Sequence, residues 1–449
     1  MNLLACVLPV LPGCPEKNAD RMIAFMNAHP AELYLFPAFA LTGTTCGALF
    51  SQKSFIDRTD RAADRLCEYT ETHSVIIVTS LNQMGNVYFR NGSLSQKSRF
   101  EWKGKTVAIS DTGNDKTDLL LLPTSMTAYP CIEADIAEFC AKASAGCTVA
   151  VANPGWGEGV SEGVYRGMCG LFRKGKEIAF RVQTYPEECF VTDTNQSTEL
   201  FFRKSLGDIR IPYYGKNRPE LYLSGLFELQ TQALSTRLQA SGQEGLCMAL
   251  PCRPEAILAF LAAEQALILA GKPASVLKVF DTVPETEALA RARKASFGRE
   301  GLRIGWESLT SAALGESPLE ESVCHYNICA SLPRTLITAL LRQRKLTDEG
   351  LSALPETLFV DPEGAILTDF ILYYAARHRM EPVQIRNYCL ATFDEYDEET
   401  VDHAISDFFS QFAAAGLRRS LTSEGANITD VTLPYIPLEA ACNSTGNLL

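Results

Sequence analysis

What this 449-residue chain lacks narrows it first. No cluster of basic residues is present: Arg418-Arg419 is a pair, and 53 acidic against 41 basic side chains leave a formal net charge of −12. A nucleic-acid backbone or an anionic membrane is therefore excluded as the main partner, since neither attracts a surface of its own sign. Long apolar runs are also missing. Ala256–Ala270 is interrupted by Glu264-Gln265 and falls short of the roughly 20 residues a membrane helix needs, so it reads as a buried helix. Low-complexity tracts and internal repeats are absent, which removes disordered, fibrous and solenoid classes.

The fifteen cysteines form no Cys-x-x-Cys pair and are odd in number, against both a zinc ribbon and a disulfide framework. Cys6, Cys140, Cys147 and Cys247 stand in apolar runs, where a thiol behaves as a small hydrophobe. The expected setting is a reducing cytoplasm. The apolar start Met1–Leu11 runs into Leu11-Pro12-Gly13-Cys14 without a preceding Lys or Arg, and reads as a buried strand rather than a lipoprotein signal.

What is present is ordinary globular material, 46% hydrophobic and 21% charged, in a chain too long for one core, so two or three domains are expected. The first half alternates strands and helices. Asn2–Leu8, Glu32–Phe36, Val75–Thr79, Thr106–Ile109, Leu119–Leu122 and Thr148–Ala152 read as strands; Pro15–Ala28, Ile56–Thr72 and Ile132–Ala143 read as helices. Asn91-Gly92 and Lys174-Gly175 mark hairpin turns. Strand pairs between helices predict a layered α/β sandwich over residues 1–202.

Residues 203–218 are polar, hold Gly207, Pro212 and Gly215, and form the expected linker. Helix Pro219–Ala240, strand Leu246–Leu250, helix Glu255–Ala270, strand Ser275–Phe280 and helix Glu285–Lys294 then predict a doubly wound α/β domain over 219–422. Helices Arg334–Arg344, Gly364–Arg379 and Glu398–Ala415 follow. The stretch 423–449 is expected to be a loose polar tail.

Two stretches carry a more specific signal. His325-Tyr326-Asn327 is followed by Leu332-Pro333-Arg334-Thr335-Leu336-Ile337, and Leu367-Thr368-Asp369-Phe370-Ile371-Leu372-Tyr373-Tyr374 precedes Arg377, Pro382, Phe408-Phe409 and Arg418-Arg419-Ser420. In order and spacing these resemble the C-terminal region of glutamine-dependent NAD synthetases. Phe36-Pro37 with Ala40-Leu41-Thr42-Gly43, and later Gly157-Glu158-Gly159, resemble parts of the nitrilase-type glutaminase domain that precedes the synthetase in that family. The resemblance implies a nitrilase-like sandwich followed by a synthetase-like domain. It also implies a Glu/Lys/Cys triad releasing ammonia from glutamine, ATP and Mg²⁺ activating deamido-NAD, and self-association through the glutaminase domains.

The residues that would perform this chemistry are substituted. Where the family has its general base after Phe-Pro, this chain has Ala38, a methyl group that takes no proton. The nucleophile's position, after Ile109 and before Asp111, holds Ser110, which is weaker than a thiolate and needs a base of its own. The lysine's loop is mostly deleted, and Lys97 is the nearest candidate. In the second half the family's glycine-rich ATP loop, Ser-Gly-Gly-x-Asp-Ser, corresponds to Pro251-Cys252-Arg253-Pro254-Glu255. Such loops work by surrounding pyrophosphate with backbone N–H groups, and two prolines remove two of them. The acidic pair of Gly-Asp-x-Ser-Glu corresponds to Ser308 and Ser311, whose hydroxyls add no charge to hold magnesium.

Asn327, Arg334, Asp369 and Arg253 remain as possible ligand contacts, with plainer readings beside them: a turn for Asn327, a solvated helix face for Asp369. Cys324, His325 and Cys329 lack a fourth ligand, and no metal site is expected. The leading expectation is a non-catalytic relative of NAD synthetase with no cofactor of its own, assembled with itself or with an intact synthetase. The alternatives are a working synthetase with unusual residues or an altered amidohydrolase using Ser110 or another thiol, and a nucleotide or anion sensor using Arg253 and Arg334.

Overall fold

The structure, a computed structural model, describes residues 2–82, 84–110, 117–159, 163–192, 219–281, 285–297, 301–317, 324–429, 431 and 433. The expected linker 203–218 and most of the expected tail lie outside these. The chain divides into two compact units, Met1–Ala128 with Ile132–Phe202 and Tyr129–Cys131 with Arg203–Leu449.

In the first unit the strands are β1 (Leu3–Val7), β2 (Leu33–Ala38), β3 (Ile76–Leu81), β4 (Gly85–Arg90), β5 (Ser93–Ser95), β6 (Arg99–Trp102), β7 (Lys105–Ile109), β8 (Leu119–Pro123), β9 (Thr148–Asn153), β10 (Met168–Arg173), β11 (Lys176–Val182) and β12 (Cys189–Thr192). They form two six-stranded sheets, ordered β12-β1-β2-β3-β4-β5 and β11-β10-β9-β8-β7-β6. The period-two pattern of the central strands sets the layers. On β1, Leu4 and Cys6 join a core with Met22, Phe25 and Leu66 from helices α1 (Pro15–Ala28) and α2 (Lys53–His73). Leu3, Ala5 and Val7 turn the other way, into a core shared with Val107, Leu121, Ala150 and Leu171 of the second sheet. Helix α3 (Ile132–Ala143) packs on that sheet's other face. Helix, sheet, sheet and helix make the layered sandwich that the sequence predicts, and the apolar start of the chain is its buried strand β1.

Three hairpins turn at Asn91-Gly92, Lys103-Gly104 and Lys174-Gly175, each with φ between 50° and 74° at both positions. Paired positive φ is what a two-residue turn between twisted strands requires, and glycine supplies the second without strain.

The second unit has a parallel sheet ordered β14-β13-β15-β16, from β13 (Leu246–Ala249), β14 (Leu277–Phe280), β15 (Leu302–Gly305) and β16 (Tyr326–Asn327). Helices α4 (Pro219–Ser241), α5 (Pro254–Leu269), α6 (Glu285–Phe297), α7 (Leu309–Leu314) and α8 (Arg334–Lys345) surround it. From β13 the chain goes outward to β14 and then crosses back to β15, so the strand order reverses between β13 and β15. Open α/β sheets form crevices at the carboxyl ends of strands on either side of such a reversal.

Two segments depart from the expected elements. Strand β14 is shorter than Ser275–Phe280, because Ala274–Val276 winds as a 3₁₀ turn and the strand is a half-buried edge. The stretch after Ser420 is not loose over its first residues. Gly425 bridges to Asn327, the Asn327 amide donates to the Glu424 carbonyl (2.8 Å), and Ala426, Ile428 and Val431 are fully buried. Small and β-branched residues among the polar ones let this segment lie against the end of β16. Among the described residues no helix is long and apolar enough to cross a membrane.

Candidate functional site

In the first unit Ala38 and Ser110 both lie at strand ends. Ala38 closes β2, buried, with its amide donating to the Thr124 carbonyl (3.0 Å). Ser110 follows β7, also buried, and its amide donates to the Leu121 carbonyl (3.0 Å). Lys97 is exposed on the turn between β5 and β6. At Ala38 the end of β2 carries only a methyl group, which neither gives nor takes a proton.

Beyond Ala38 the backbone enters a tight turn with Phe39 at φ 57° and Gly43 at φ 84°. A Cβ on Gly43 would meet Pro12 at 2.9 Å. This turn is held by a carboxylate that the sequence reading did not single out as a site residue. Glu158 is 1% exposed and accepts the Thr44 amide at 3.0 Å on each oxygen. Burial raises its pKa above the ordinary carboxylate value, partly offset by those bonds. Its neighbours Gly157 and Gly159 have φ of 93° and 79°, and a Cβ on either would overlap a backbone carbonyl. Its signal in the sequence is a charged residue between two glycines, within a stretch that resembles the glutaminase domain.

In the second unit the turn after β13 is an ordinary helix start. Arg253 is the N-cap of α5, extended at φ −130° and ψ 144°, and Pro254 holds the first helical position. Pro251 and Pro254 have no amide hydrogen, and that of Arg253 is bonded to the Pro251 carbonyl (2.8 Å). Three of the five amide donors that could face a phosphate are removed or committed. The Arg253 guanidinium lies over the Trp306 ring, 5.8 Å from its centroid.

Glu255 is buried two residues after Arg253, with Oε1 3.9 Å from Arg334 Nε. Arg334, at the start of α8, also pairs with Glu316 and donates to Ser311 Oγ (3.3 Å). One guanidinium thus ties the start of α5 to the segment after α7. Ser308 and Ser311 have structural partners as well. Ser308 caps α7, accepting the Ser311 amide (3.2 Å) and donating to Ser311 Oγ (2.9 Å).

Asp369 does not lie on a solvated helix face. It is 2% exposed, accepting the Thr335 amide (2.8 Å), the Thr335 hydroxyl (2.7 Å) and the Thr310 hydroxyl. Burial raises its pKa despite these three donors. Asn327 makes the turn anticipated for it: its side-chain oxygen accepts the Cys329 amide (3.1 Å), and its side-chain nitrogen donates to the Glu307 carbonyl (2.8 Å).

A cavity of about 260 Å³ opens at the carboxyl ends of β13 and β15, lined among others by Arg253, Glu255, Trp306, Ser311, Glu316 and Arg334; Asn327 and Asp369 are not part of its lining. Sites for small molecules usually span about 300–1,000 Å³. Two guanidiniums face two carboxylates here, so the lining carries little net charge to attract an anion. Among the described residues no group of three or more His, Cys, Asp or Glu side chains could hold a metal ion.

Neither a protein-family model nor a curated protein matches the sequence. Solved structures do match by shape. A glutamine-dependent NAD(+) synthetase from Cytophaga hutchinsonii superposes with a TM-score of 0.75 at 12% identity, covering 98% of this chain and 99% of the other. A glutamine-dependent NAD+ synthetase from Acinetobacter baumannii, solved with adenosine diphosphate, gives 0.62 at 13% identity, covering 96% of each chain. Along nearly its whole length the chain has the fold of a glutamine-dependent NAD synthetase.

Proposed function

We propose that this protein is a non-catalytic relative of glutamine-dependent NAD synthetase that serves as a structural or regulatory partner, assembled with itself or with an intact synthetase. The turn 251–255 carries this reading. A nucleotide loop needs free amides and bare backbone; this turn has two prolines, an internally bonded Arg253 amide, and a buried Glu255 paired with Arg334. Ala38 and the Ser308 cap add to it from two other places. Losses at independent steps reinforce one another, because ammonia release and nucleotide activation are both required for the amidation.

The purified full-length chain, given deamido-NAD, ATP, magnesium and either glutamine or ammonia, is expected to form no NAD. Turnover with ammonia would overturn the proposal for the second unit, and turnover with glutamine for both. Affinity capture from the native host is expected to bring down an intact synthetase or further copies of this chain. A rise in Tm with ATP or adenosine diphosphate would instead favour a nucleotide-sensing role, since a ligand that binds only the folded state stabilises it.

A further inference from the structure

Among the described cysteines one pair meets across the first unit. Cys169 on β10 and Cys189 on β12 belong to different sheets and share the core between them. Their sulfurs are 3.7 Å apart, both thiols buried, Cys169 at 0% and Cys189 at 6% exposure. Cys6, on the adjacent strand β1, points into the opposite core with the helices and stays outside this contact.

We propose that Cys169 and Cys189 form a peroxide-responsive dithiol, which oxidation converts into a disulfide joining the two sheets. A disulfide has an S–S bond of about 2.05 Å, so each sulfur moves by roughly 0.8 Å from the present contact. Two sheets of a sandwich can be bridged in this way through their shared core. Access comes from the position of Cys189, the first residue of β12, an edge strand of its sheet. The two thiols share an S–H···S contact that lowers the Cys189 thiol below its usual range and favours its thiolate; burial raises Cys169.

The chemistry balances with hydrogen peroxide as oxidant. The Cys189 thiolate attacks one peroxide oxygen, the O–O bond breaks, and hydroxide leaves and takes up the proton that Cys189 released, giving one water and a sulfenic acid. The Cys169 sulfur then attacks Sγ of Cys189, forming the S–S bond; the sulfenic oxygen leaves with the Cys169 proton as a second water. Two thiols are oxidised by two electrons and one peroxide is reduced to two waters.

The test uses the full-length chain, reduced, treated with graded hydrogen peroxide, then unfolded and alkylated before digestion with trypsin. Cleavage at Arg166, Arg173, Arg181 and Arg203 places the two cysteines on separate peptides, 167–173 and 182–203, each with a single cysteine. The expected product is these two peptides linked, about 2 Da lighter than their sum, with a rise in Tm of about 5 °C for the oxidised protein. Cys169→Ser and Cys189→Ser are each expected to abolish both effects. The exposed thiol of Cys252 is the internal standard. If both core thiols remain open to alkylation at doses that oxidise Cys252, or if either links to another cysteine instead, the proposal fails. The wild-type peptide map decides this even if a serine variant does not fold.

Discussion

On the proposed reading, the two units lose their separate reactions in different ways. In the first, the reactive position is emptied: Ala38 offers a methyl where a base would act. In the second, it is rebuilt. Ser308 caps α7, Arg334 bridges Glu255 and Glu316, and Pro254 starts α5. An emptied position contributes little to folding, whereas a rebuilt one has become part of the scaffold. Substitutions at the second unit's positions should therefore cost stability, and those at the first unit's should not.

The largest effect is expected at Asp369. Asp369→Ala strands the Thr335 amide and two hydroxyls in the core, and should destabilise the second unit by about 3 kcal/mol, read by urea unfolding and amide exchange in α8. A scaffold carboxyl with a raised pKa also has a pH signature of known sign. The folded state keeps this proton to higher pH than the unfolded chain does. Its contribution is thus complete below the unfolded pKa of about 3.9 and is lost as pH rises through the folded value. Asp369→Asn cannot titrate, so the stability difference should move in favour of this variant between about pH 4 and neutrality. A difference that stays flat, or moves the other way, would mean that the fold does not raise this carboxyl's pKa.

Ser308→Ala comes next, at about 1 kcal/mol, the ordinary cost of losing an N-cap. Ser110→Ala in the first unit should cost less than about 1 kcal/mol, within the range of a single net hydrogen bond. Equal losses at the two serines, measured by the same unfolding curves, would break the contrast between emptied and rebuilt positions.

Local signals made the sandwich legible. Strong apolar runs gave β8 and β9 nearly residue for residue, Pro15 and Pro219 marked helix starts, and Asn91-Gly92 and Lys174-Gly175 marked hairpins. The turn at Lys103-Gly104 carries the same signal, but β6, Arg99–Trp102, alternates charged with aromatic residues over only four positions and was not recognised as a strand. Strands β12 and β15, also of four residues, stand outside the expected elements as well. At the site, the turn 251–255 could be read directly because proline fixes local backbone. The partners of Arg334 and the burial of Asp369 could not, since both depend on segments 18 to 79 residues away in the chain that only the fold brings together.

Glu316→Gln probes the comparison with the smallest stability change and the clearest change in property. Glu316 is 38% exposed at its side chain, and a partly exposed ion pair is worth at most about 1 kcal/mol, so the fold should tolerate the substitution. What changes is the charge beside Arg334. With Glu316 ionised, two carboxylates pair with the guanidinium; with glutamine, Glu255 at 3.9 Å is the one ion pair left, beside the weaker pull of Asp369. Wild-type protein titrated with inorganic phosphate should show no Tm shift, and the variant should show a small positive one that salt suppresses, because the attraction is electrostatic and partly exposed. Phosphate binding by the wild type would mean that the carboxylates do not neutralise this site, and that the second unit's position is vacant after all rather than rebuilt.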